Sequence, residues 1–147
     1  MASHLSGFQT ELQDIYDIAI PYDVAHFVTT DAQWARTFDT STNPRDILEK
    51  LLLQQDEDNL DVALYLDHTL VEALRADDPL TCLSETNLVR FWTALEGVSH
   101  FLYLVWNVHY GRGISLFELE LQAEIDNFVC AVALCGKPAP GHSLDSI

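Results

Sequence analysis

The sequence predicts an α+β fold, rich in helix, with a small antiparallel β-hairpin packed on helices and a long C-terminal antiparallel αα-hairpin. Three observations lead there. "LDVALYLD" alternates, with Leu60, Val62, Leu64 and Leu66 on one side and Asp61, Ala63, Tyr65 and Asp67 on the other, which is the period of a half-buried strand. Ser115-x-x-Glu118 is a capping-box pattern opening into the periodic apolar run Phe117, Leu121, Ile125, Phe128 and Val132. Only a short loop around "GRG" separates that run from an earlier apolar one, and two long helices so closely joined must run antiparallel.

In chain order, "GFQTELQDIYDI" reads as a short helix with Thr10 as its N-cap and Leu12, Ile15 and Ile18 as its apolar positions. Pro21 interrupts "IAIPYDVAHFVTTD", which reads as extended segments and turns. "TTDAQWARTF" gives a brief helix capped by Thr30 or Asp31 before the polar break "DTSTNPRD". "EKLLLQQ" is the partner strand of "LDVALYLD", with "DEDN" as the turn. A helix from Asp67 or Thr69 to Arg75 follows, with Thr69-x-x-Glu72 as its capping pattern and Pro79 beyond its end. Ser84 caps a helix reaching about Tyr110, and the Ser115 helix comes next. Residues 1–135 are expected to form one globular domain, and 136–147, with two prolines and two glycines, a disordered tail.

Charge is the extreme property of these 147 residues. Seven lysines and arginines stand against 23 aspartates and glutamates, a formal net charge of −16. Such a chain repels phosphate backbones and anionic lipid, so neither nucleic acid nor membrane is an expected partner; basic or amphipathic protein surfaces and cations are. The window Phe91 to Tyr110 has the length of a membrane span but carries Glu96, His100, Asn107 and His109, and reads as a buried helix. Cys82, Cys130 and Cys135 form no CxxC pattern, and no leader-like segment opens the chain, so a reducing cytoplasm is the expected compartment. Trp34, Trp92 and Trp106 read first as core.

One stretch concentrates the chemistry. In "LEGVSHFLYLVWN", Glu96, His100, Tyr103 and Asn107 follow i, i+4, i+7, i+11 and share a narrow sector of the helix, opposite Phe91, Ala94, Val98, Phe101, Leu102 and Val105. Gly97 suggests the close approach of another backbone. The polar strip is either a solvent edge or a window onto the next helix. In a hairpin centred on Arg112, His100 falls at about the depth of Glu124 and Tyr103 at about that of Gln122. Glu96, His100, Glu120 and Glu124 would then offer carboxylate and imidazole ligands suited to zinc, iron or manganese. The Glu-x-x-x-His spacing departs from the Glu-x-x-His of ferritin-like di-metal sites, and HExxH is absent. "DEDNLDVALYLD" fails as a calcium loop, because Asp61 stands where glycine is needed and Asp67 where glutamate is needed.

No GxSxG, P-loop or GxGxxG is present. The expected function is therefore a small acidic protein-binding module, an adaptor, regulator or chaperone-like chain without catalysis or cofactor. The alternatives are a metal-binding protein centred on the helical hairpin, and a nucleic-acid mimic that blocks a DNA-binding protein. A homodimer is also an option, since a helix apolar on nearly all sides needs cover from several directions.

Overall fold

A computed structural model describes residues 3–36, 49–55 and 59–136. The elements are α1 (Ser3–Tyr16), a 3-10 turn (Val24–Phe27), β1 (Val28–Thr29), α2 (Ala32–Arg36), β2 (Glu49–Gln55), β3 (Leu60–Leu66), α3 (His68–Ala76), α4 (Leu88–His109) and α5 (Leu116–Cys135). The fold is α+β and helix-rich, with α4 and α5 packed together as a long C-terminal pair. The residues of the "DEDN" turn before Asn59, the whole "DTSTNPRD" break and the tail beyond Gly136 lie outside the described residues.

The sheet is mixed, where a purely antiparallel hairpin was expected. β3 is its central strand. β2 pairs with it antiparallel, from Glu49 opposite Leu66 to Gln55 opposite Leu60, and β1 pairs in parallel, Val28 with Leu64 and Thr29 with Tyr65. The residues after Pro21 supply that third strand, too short to show a period of its own. Nor is the second face of β3 wet throughout. Tyr65 is buried with Leu52 and Ala35, because α2 covers that side of the sheet.

Helix starts follow side-chain acceptors. α1 begins seven residues before Thr10, whose hydroxyl instead donates to the Ser6 carbonyl within the helix. It stops at Asp17, whose positive φ of 52° lets the Ile18 N–H reach back to the Gln13 carbonyl. Asp31 caps α2 by accepting from the Trp34 N–H. Asp67, not Thr69, caps α3, accepting from the N–H groups of Thr69 and Leu70. Ser84 lies a turn ahead of α4, and the N-cap position belongs to the buried Asn87. That side chain is committed elsewhere, accepting from the Ser84 N–H and donating to the Asp77 and Cys82 carbonyls, which holds the 77–87 loop against the helix. Ser115 accepts from the Glu118 N–H, as its capping pattern predicts.

The hydrophobic centre is α4 with α1, α3 and the sheet. Leu5, Phe8 and Leu12 of α1 meet Phe91, Leu95, Val98 and Phe101 of α4, with Leu64, Leu66 and Leu74 alongside. The rings of Phe8 and Phe91 pack edge to face, their centroids 5.2 Å apart. α5 adds only Cys130 and Leu134 to this cluster. α4 is therefore central, and α5 lies on its outside.

α5 also faces the other way from its sequence reading. Its buried positions are Leu119, Ala123, Asp126, Cys130 and Leu134. Phe117 is 74% exposed and Phe128 70%, with Leu121, Ile125 and Val132 also exposed. At about 100° per residue the two stripes centre roughly 180° apart, so the helix is apolar on opposite sides. The bulkier stripe is outside because the inner one makes the specific contacts. The Asp126 carboxylate accepts from Ser99 Oγ of α4 at 2.5 Å, from Tyr16 Oη at the end of α1 at 2.5 Å and from Gln122 Nε2 at 2.8 Å. Burying a carboxylate requires such donors, and they fix the helix's rotation. Among the tryptophans, Trp34 and Trp92 are exposed and Trp106 is half-buried against Tyr110, so none is a core residue as expected. Among the described residues no helix is long and apolar enough to cross a membrane.

Candidate functional site

The polar strip of α4 is not a solvent edge. His100 and Asn107 are buried, and Glu96 and Tyr103 are half-buried. What encloses His100 is β2 on one side and α5 on the other. In β2, Glu49 shares the face of Leu51, which packs on the main core, so the strand's alternation directs Glu49 toward α4. His100 presents Nδ1 to Glu49 Oε1 at 3.6 Å and Nε2 to Glu120 Oε1 at 3.7 Å. Both distances exceed hydrogen-bond length. His100 Nε2 and Glu49 Oε1 are buried and have no hydrogen-bond partner among the described residues.

Gly97 makes room for this arrangement. A Cβ there would lie 2.8 Å from Leu64 Cδ1 and 2.9 Å from Glu49 Cγ. The close approach read from this glycine is real, but strand side chains make it, not another backbone.

Glu49, Glu96 and His100 each offer a ligand atom, and the three atoms lie within 4.8 Å of one another. Of the four residues expected to converge, Glu96 and His100 do so and Glu120 approaches from α5. Glu124 does not join them; it is exposed and acts on Glu96 only through its field. A hairpin centred on Arg112 puts His100 at the depth of Glu124, whereas the helix pair brings it to Glu120, one turn away. Tyr103 likewise meets Glu118, donating from Oη to Oε2 at 3.1 Å, rather than lying at Gln122. Asn107 turns back on its own helix, donating to the Tyr103 carbonyl, and takes no part in the cluster. Glu49, 51 residues before His100 in the chain, is the member that sequence spacing misses; its only signal is a carboxylate opening an apolar strand.

The electrostatics follow from crowding carboxylates at low solvent exposure. Burial, then the neighbouring Glu49, pushes the Glu96 carboxyl above its usual range, with His100 partly offsetting the rise. At His100, burial opposes the charged form, yet Glu49, Glu120 and Glu96 together outweigh it and hold the imidazole above its ordinary value. The arrangement can hold a positive charge between carboxylates, as a proton on His100 or as a cation.

A second polar group lies on the opposite side of the α4–α5 contact. Tyr16, Ser99, Leu102, Trp106, Gln122 and Asp126 are among the residues lining a cleft of about 320 Å³. Burial, followed by the bond to Asp126, pushes the Tyr16 phenol well above its usual range. Asp126 accepts from Ser99 of α4, Tyr16 at the end of α1 and Gln122 of α5, which ties the three helices together. No known protein family, curated protein or solved structure matches this chain.

Proposed function

We propose that this chain is a protein-binding module whose docking face is the outward side of α5, and that its partner presents an amphipathic helix with basic flanks. One observation carries the reading: Phe117, Leu121, Ile125, Phe128 and Val132, all on the outward side of α5, are 44–74% exposed. A contiguous apolar surface of this kind is costly to leave in water and marks interaction sites. From Phe117 to Val132 the spacings are four, four, three and four residues, the seam that a partner helix fills.

Charge selects the partner. Glu118 borders the stripe on one side, and Glu120 and Glu124 on the other. Lysine or arginine flanking the partner's apolar seam would meet these carboxylates and be steered by the net charge of −16. A second copy would bring the same acidic flanks and the same net charge, which opposes self-association.

The test is a fluorescence-anisotropy titration with a labelled amphipathic peptide of leucine and lysine at three-four spacing. Saturable binding is expected, with loss in a Phe117→Ser/Phe128→Ser double variant that retains its helical circular dichroism. A leucine–glutamate peptide should not bind. Equal binding of both peptides, or binding indifferent to the double variant, would remove the proposal. Sedimentation velocity showing a dimer that the double variant dissociates would reassign the face to a second copy.

A further inference from the structure

We propose that Glu49, Glu96 and His100 form a binding site for one zinc-class divalent ion, with Glu120 as the carboxylate facing the second imidazole nitrogen of His100. This site shares only Glu120 with the flank of the α5 docking face and does not depend on that face's role. Two independent observations support it. The first is convergence: three ligand atoms from β2 and α4 lie within 4.8 Å of one another. The second is the lack of a closed hydrogen bond at two buried atoms, Glu49 Oε1 in the cluster and His100 Nε2, which faces Glu120. His100 as a whole is 6% exposed.

The carboxylates of Glu49 and Glu120 stand 3.6 and 3.7 Å from the two imidazole nitrogens of His100, so a positive charge fits between them without a closed hydrogen bond. Two carboxylates from Glu49 and Glu96 balance a divalent charge. Zinc bonds of about 2.0–2.2 Å place neighbouring ligand atoms roughly 3.4 Å apart. The 4.8 Å spread closes to that by small side-chain rotations, most readily at the half-buried Glu96. Glu120, 3.7 Å from His100 Nε2, stands where a carboxylate usually meets the other nitrogen of a metal-bound histidine. An imidazole among the ligands favours zinc over magnesium or calcium, and zinc over manganese or iron(II) at equal geometry.

The experiment is isothermal titration calorimetry of the full chain with Zn²⁺, with Mg²⁺ for comparison. One saturable site is expected, weakened at least tenfold in Glu49→Gln and in His100→Gln and unchanged in Glu85→Gln, which removes an exposed acid elsewhere. Nitrogen-15 spectra of wild-type imidazoles add a readout that needs no variant: among the six histidines, Zn²⁺ should move the His100 signals first. No saturable heat, equal weakening by Glu85→Gln, or zinc shifts spread over the exposed histidines would mean adventitious binding to an acidic surface and would overturn the site.

Discussion

Replacing an aspartate on α5 should damage this protein far more than replacing a phenylalanine two residues away. Asp126 is 3% exposed and accepts three side-chain hydrogen bonds; Phe128 is 70% exposed. In Asp126→Ala the Ser99 hydroxyl, itself 1% exposed, loses its acceptor, at a cost of about 1–3 kcal/mol. Tyr16 is 38% exposed and can turn to solvent, so its share is small. The void left by the carboxylate adds to the loss, for a total of about 2–3 kcal/mol. Phe128→Ser removes a side chain already in water, on a helix where the two residues have similar propensity, and should stay within about 0.5 kcal/mol. Urea unfolding followed by far-ultraviolet circular dichroism separates the two: with a slope of about 2 kcal/mol/M, Asp126→Ala lowers the midpoint by about 1–1.5 M. Were the phenylalanine stripe the buried one, Phe128→Ser would cost about 3–5 kcal/mol. A midpoint loss in Phe128→Ser equal to that in Asp126→Ala refutes the assigned rotation of α5.

Two further outcomes follow from the packing. Gly97→Ala gains about 1 kcal/mol of helix propensity but forces a methyl against the wholly buried Leu64, an overpacking cost of about 1–3 kcal/mol. Thermal unfolding should show a net loss, and a more stable variant would contradict the contact. Tyr16 favours its neutral form in the fold, so its contribution is complete below the unfolded phenol value of about 10 and is lost as pH climbs through the raised folded value. The stability gap between wild type and Tyr16→Phe, from urea midpoints, should narrow above about pH 10; a constant gap contradicts the bond to Asp126.

What could be read from the sequence was local. The capping of α5 by Ser115, the pairing of "EKLLLQQ" with "LDVALYLD" and the closeness of α4 and α5 each depend on residues near one another in the chain. β1 escaped because two residues carry no period, and its partner is more than thirty residues away. The rotation of α5 escaped for a different reason. Hydrophobic periodicity ranks faces by size and apolarity, which favours Phe117 and Phe128, while Asp126 marks the inner face by its need for donors on two other helices. Of the candidate metal ligands, Glu96 and His100 were legible because one turn of α4 separates them. Glu49 was not, since only tertiary packing and the small volume of Gly97 bring β2 against that turn.

The orientation of α5 underlies the proposed docking face, and thiol reactivity tests it most directly. Cys130 lies on the inner stripe at 1% exposure, while Cys135 is exposed. In a Phe128→Cys chain, brief alkylation of the native protein followed by mass spectrometry should label the exposed Cys82, position 128 and Cys135 and spare Cys130 until urea is added. Rapid labelling of Cys130 with protection at 128 would contradict the account.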